Sequence, residues 1–86
     1  MSYTVRVLRS AAKRLDDLPA PVRARLRAAL DELAQDPRPH SSLKLTAQSA
    51  WRLHVGDYRI VYTIDDQEHV VNIVWVGPRK DAYRPS

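Results

Sequence analysis

The sequence predicts an α+β domain of order β-α-α-β-β-β, with a helical hairpin packed on one face of a small, mainly antiparallel four-stranded sheet. Two observations carry that expectation. The apolar period is 3.6 between residues 10 and 36 and becomes 2 from Trp51 onward. The breaks between segments are marked by Pro19-Ala20-Pro21, Asp36-Pro37-Arg38-Pro39, Gly56-Asp57 and Gly77-Pro78. At 86 residues the chain suits one domain, residues 1–86, with one modest core.

Tyr3 to Leu8 alternates and reads as a short strand. Ser10 has the chemistry of an N-cap, and Ala11, Leu15 and Leu18 follow on one helical stripe. Pro19 stops that helix, and Pro21 suits the first turn of the next. Val22, Leu26, Ala29, Leu30 and Leu33 then form an i, i+4, i+7, i+8, i+11 series, with Arg27 and Asp31 paired on the outer face. A loop is expected to about Ser49. Trp51, Leu53 and Val55 alternate with Arg52 and His54 as a strand, and Gly56-Asp57 supplies a two-residue turn of type II′. Tyr58–Asp65 is the next strand, Asp66-Gln67-Glu68 a polar turn, and Val70–Val76 the last strand.

A two-residue turn fixes the register. It sets His54 opposite Arg59 and Leu53 opposite Ile60. Trp51, Leu53, Ile60 and Tyr62 then share the core face, joined by Val71, Ile73 and Trp75 from the last strand. The same parity sends Arg52, His54, Arg59, Asn72, Val74 and Val76 to the open face, bordered by the tail Arg79–Arg84.

The chain carries 14 Lys+Arg against 10 Asp+Glu, a formal +4, and eleven of the bases are Arg. Residues 1–50 hold nine bases and five acids, and residues 51–86 hold five of each, so the excess lies in the helical half. That surface reads either as a solvated helix face or as a site for a polyanion. With no Cys, thiolate nucleophiles, thiolate metal sites and disulfides are excluded. His40, His54 and His69 lack metal-ligand spacing, so no metal or cofactor is expected. No apolar run approaches ~18 residues and the start is unlike a signal peptide, so no membrane contact and a cytoplasmic location are expected.

Arg, His and Tyr without Ser or Cys nucleophiles suit cleavage of RNA through its own 2′-hydroxyl. That reaction needs a base near neutral pKa and cations for the phosphorane. His54 fits the base, Arg59 and Arg79 the phosphate clamp, and Tyr83 either stacks on a base or lies in the proton path.

At these residues the chain resembles a known family. The run Trp51-Arg52-Leu53-His54-Val55-Gly56-Asp57-Tyr58-Arg59-Ile60-Val61-Tyr62, and then Val76-Gly77-Pro78-Arg79-Lys80-Asp81-Ala82-Tyr83-Arg84, is similar to the RelE/ParE toxin superfamily of type II toxin–antitoxin systems. The resemblance implies a ribosome-dependent mRNA endonuclease of the RelE branch, with its functional positions at Arg52, His54, Arg59, Arg79 and Tyr83. RelE-type members often carry Lys where Arg52 and His54 stand, and a His or a base where Pro78 stands. Lys13, Arg14, Arg23, Arg25, Arg27, Lys80 and Arg84 are the expected contacts to ribosome and mRNA. A cognate antitoxin is the implied protein partner, and the toxin–antitoxin complex is expected at operator DNA. The alternatives are a ParE-like inhibitor of DNA gyrase, or a catalytically weak module that binds antitoxin and co-represses its operon.

Overall fold

A computed structural model of the chain describes residues 2–45 and 49–79. The order is β1 (Thr4–Val7), α1 (Arg9–Asp16), α2 (Ala20–Gln35), β2 (Ser42–Lys44), β3 (Trp51–Val55), β4 (Tyr58–Asp65) and β5 (Val70–Pro78). The strands form one mixed sheet in the order β1-β5-β4-β3-β2, with β1 parallel to β5 and the other pairs antiparallel.

The sheet therefore has five strands where four were expected. The extra one, β2, lies in the stretch read as a loop. It is three residues long and exists through its pairing with β3, Leu43 opposite Arg52, and not through any alternation of its own. Ser10 is also placed differently. It sits inside the first turn of α1, whose N-cap is Leu8 with no side-chain cap bond. Lys13 and Arg14 complement the dipole at the other end of that helix. Pro19 is the N-cap of α2, and Pro21 follows in its first turn, where a missing N–H costs no hydrogen bond.

Ala11 and Leu15 of α1 and Leu26, Leu30 and Leu33 of α2 pack on Leu53, Ile60, Tyr62, Val71, Ile73 and Val76 of the sheet. The stripe on α2 is the one the 3.6 period marked. Tyr62 is fully buried, and its hydroxyl donates to the Pro37 carbonyl at 2.9 Å, tying the central strand to the end of α2. Burial raises the Tyr62 pKa, which keeps the phenol a donor. At the far edge Asp66 joins three elements. It accepts from the Tyr3 hydroxyl at 2.6 Å and from both Arg38 terminal nitrogens at 3.2 and 2.7 Å, while Arg38 lies over the Trp51 ring at 5.5 Å.

The β3–β4 register is the expected one, from Val55 opposite Tyr58 to Trp51 opposite Tyr62. Gly56 has φ +60°, whereas Asp57 is outside the positive-φ region, which is the type II′ pattern. The β4–β5 turn spans the four residues between Asp65 and Val70, which face each other. His69 ends it with φ 55°.

One expectation is overturned in β5. Val61 faces Trp75 but Tyr62 faces Ile73, so Val74 is an extra residue at a β-bulge. A bulge reverses the alternation beyond it. Val76 therefore enters the core opposite Ile60, and Trp75 moves to the open face opposite Val61, the reverse of the sequence expectation.

Candidate active site

The open face carries a compact cationic cluster. Leu53 is buried among core residues, so its neighbours on β3, Arg52 and His54, project to the other side of the sheet. Arg59 on β4 stands directly opposite His54, and Gly77 on β5 stands opposite Arg59. Arg79 is held beside the β3–β4 turn by its N–H, which donates to the Asp57 carbonyl at 2.9 Å. The Gly56-Asp57 turn thus aligns His54 with Arg59 and also anchors the residue that follows β5.

Arg59 is 2% exposed although it carries a charge. Its Nη2 donates to His54 Nε2 at 2.7 Å. A guanidinium has no acceptor, so His54 offers the lone pair of Nε2 and carries its proton on Nδ1. The His54 pKa is lowered from its ordinary value of 6.5, first by burial and then by the charges of Arg59, Arg79 and Arg52. Geometry and electrostatics agree on a neutral imidazole with Nε2 as the acceptor. Arg52 is half-buried, and its Nε is shielded from solvent with no hydrogen-bond partner among the described residues. A shielded N–H of that kind favours an acceptor brought by a ligand.

Four of the five expected catalytic residues, Arg52, His54, Arg59 and Arg79, therefore converge. Tyr83 lies outside the described residues, as do Lys80 and Arg84. Asn72 is on the same face, yet it pairs with Thr63, five positions along β5 from Gly77 and about 16 Å away at ~3.3 Å per residue. It is not part of the cluster.

The basic helical residues divide into different settings. Lys13, Arg14, Arg25 and Arg27 are exposed. Arg23 is half-buried and donates to the carbonyls of Asp16 and Leu18, both at 3.2 Å, closing the end of α1 onto α2. Arg27 pairs with Asp16 at 3.7 Å; the expected partner had been Asp31. Arg25 lies against Gly56 and lines a groove of about 300 Å³ between α2 and β3 that His54 also borders. Arg14 lies over the Trp75 ring at 5.2 Å. Sequence reasoning missed Trp75 as a surface residue. Ile73–Val76 are all apolar, so beyond Asn72 hydropathy gave no sign of which residues face outward.

Among the described residues no group of three or more His, Asp or Glu is placed to hold a metal ion. No described helix is long and apolar enough to cross a membrane. What the fold presents is a small α+β domain with a neutral imidazole among arginines on the face of its sheet opposite the core, an arrangement suited to an anionic phosphodiester.

A family model for the ParE toxin of type II toxin–antitoxin systems matches residues 5–83. Toxin RelG of Mycobacterium tuberculosis is 34% identical over 86 residues, spanning 98% of this chain and 99% of that protein. Toxin RelE of the same organism is 35% identical over 88 residues, spanning 95% of this chain and 87% of that protein. Among solved structures, the RelE–RelB complex from Pyrococcus horikoshii matches with a TM-score of 0.82 at 28% identity, covering 92% of this chain and 97% of that one. The intact Escherichia coli RelBE toxin–antitoxin complex matches at 0.80 with 28% identity, covering 90% and 96%. The chain belongs to the RelE/ParE superfamily and is a type II toxin–antitoxin toxin of RelE type.

Proposed function

We propose that this toxin is a ribosome-dependent mRNA endonuclease that halts translation by 2′-hydroxyl-assisted cleavage. The observation that supports this best is the neutral His54, held with Nε2 as acceptor inside the Arg52–Arg59–Arg79 cluster. When the scissile phosphate arrives it takes the Arg59 guanidinium, and His54 Nε2 is released to accept the 2′-hydroxyl proton. The 2′-oxygen bonds to phosphorus and the bond to the 5′-oxygen breaks, leaving a 2′,3′-cyclic phosphate. The leaving oxygen takes its proton from Tyr83 or water. Arg52, Arg59 and Arg79 stabilise the charge that builds on the phosphorane. A lowered pKa suits His54 to the base role, because a general acid must hold a proton near neutral pH.

The exposed Lys13, Arg14, Arg25 and Arg27, with Arg23, Lys80 and Arg84, supply the contacts to ribosomal RNA and mRNA, so association weakens steeply with salt. The partner in the cell is a cognate antitoxin laid across the basic face or the helices, as toxin–antitoxin complexes are among the structural relatives. That complex binds operator DNA, and the toxin acts in the cytoplasm.

The test is induced expression followed by primer extension on a reporter mRNA. Codon-phased cuts are expected, and His54→Ala lowers cleavage roughly 10²–10⁴-fold, the usual contribution of a general base. Intact transcripts together with arrested growth refute the proposal. A ParE-like action on gyrase is the second reading, because the matching family model is that of ParE. It is recognised by a DNA-damage response with mRNA spared.

A further inference from the structure

The β-bulge places an aromatic ring on the open face of the sheet, on the side that carries Arg59 and His54. Trp75 is half-buried on the open face, opposite Val61 and two residues from Gly77. A Cβ on Gly77 would lie 2.8 Å from both Cζ2 and Cη2 of Trp75 and 3.4 Å from Nη1 of Arg14. The indole edge and the Arg14 guanidinium therefore meet over the one position of β5 that has no side chain. Gly77 is the direct cross-strand neighbour of Arg59, which donates to His54. Indole, guanidinium and imidazole run in one continuous row across the face, from Arg14 on α1 to His54 on β3.

We infer that Trp75 and Arg14 form a stacking platform for an unpaired nucleobase of single-stranded RNA, adjacent to the phosphate held by the Arg59 cluster. This rests on the proposed RNA-directed reading and assigns a base site within it. Bases of every identity stack on aromatic faces and on guanidinium planes, so such a platform binds single strands and leaves duplexes aside. Arg14, already over the ring at 5.2 Å, is pre-oriented by the indole beneath it and adds a charge beside the backbone. The feature depends on the bulge. Without the shift at Val74 the indole would enter the core and the row would end at Gly77.

The experiment uses the whole toxin and two strands of equal length and charge. One is an RNA with a 2′-deoxy substitution at the scissile position, which cannot be cleaved; the other is the matching strand with every base removed. In a Trp51→Phe background, the remaining indole fluorescence is expected to be quenched by the base-bearing strand only. Trp75→Ala lowers affinity for that strand about tenfold and leaves the abasic strand unaffected. Trp75→Phe stays within about threefold, and Arg14→Ala, an exposed change, weakens both strands through the lost charge but the base-bearing strand several-fold more. Equal quenching by both strands, or equal losses on both, overturns the platform. If Trp75→Ala does not fold, the Arg14→Ala and Trp75→Phe comparisons decide the matter alone. A base-dependent signal without mRNA cleavage by the unaltered toxin keeps the platform and removes the nuclease reading. Cleavage without a base-dependent signal does the reverse.

Discussion

Replacing Gly56 by Ala tests the turn on which the site depends. Two effects compete at that residue. An added Cβ would come within 3.0 Å of Arg25 Nη2, 3.3 Å of Nη1 and 3.4 Å of Cζ. Those atoms end a flexible, exposed side chain that swings away at small cost. The backbone cannot move so easily, because φ is +60° and the register of β3 against β4 depends on it. An L-residue there costs roughly 1–2 kcal/mol of strain. Against the roughly 4–13 kcal/mol expected of 86 residues, that is a sizeable part of the total stability. At about 4–8 °C per kcal/mol for a domain of this size, Gly56→Ala lowers Tm by roughly 4–16 °C in a circular-dichroism melt. The strain falls two residues from His54, whose contact to Arg59 spans the same hairpin. On the proposed nuclease reading, the variant is therefore also expected to lose cleavage at temperatures where it is still folded. A Tm within about 2 °C of the unaltered chain would refute the argument, since the turn would then have relaxed without strain.

Three further outcomes follow from the same geometry. Because the folded-state pKa of His54 is depressed, the unfolded chain binds more protons below pH 6.5, so stability falls as pH drops through 6.5 toward the folded value. His54→Gln removes that loss, which urea titrations across the acid range read as a smaller stability difference between neutral and acid pH. Tyr62→Phe deletes a buried donor at 2.9 Å and leaves the Pro37 carbonyl without it, a loss of about 1–2 kcal/mol in chemical denaturation. Deleting Val74 regularises the ladder, with Ile73 still opposite Tyr62 and Trp75 still opposite Val61; the shortened chain is expected to fold at a loss of about 1–1.5 kcal/mol for one half-buried valine, and an unfolded product refutes the bulge assignment.

How much of this was legible in the chain depended on whether local chemistry decided the outcome. The Gly56-Asp57 turn admits one common hairpin geometry, so the pairing of His54 with Arg59 followed from two residues, and with it the core of the site. The α2 stripe was equally plain, because Val22, Leu26, Leu30 and Leu33 are separated by charged or small residues. β5 offered no such contrast. Beyond Asn72 the residues Ile73–Val76 are all apolar, so an alternation with one residue inserted at Val74 looks the same as one without it. β2 depended on a neighbour's unpaired edge, which no hydropathy pattern records. The burial of Arg59 was hidden for a related reason. Its polar character marked an outward position, and outward was right, but on this sheet the outer face is partly covered. An exposed arginine would be a solvated charge that binds phosphate loosely. Placed beside a neutral imidazole and shielded from water, the same residue meets an anion at much lower effective dielectric, where each charge–charge contact counts for more. The open-face parity located the cluster, and the burial that the sequence could not register is what fits it for chemistry.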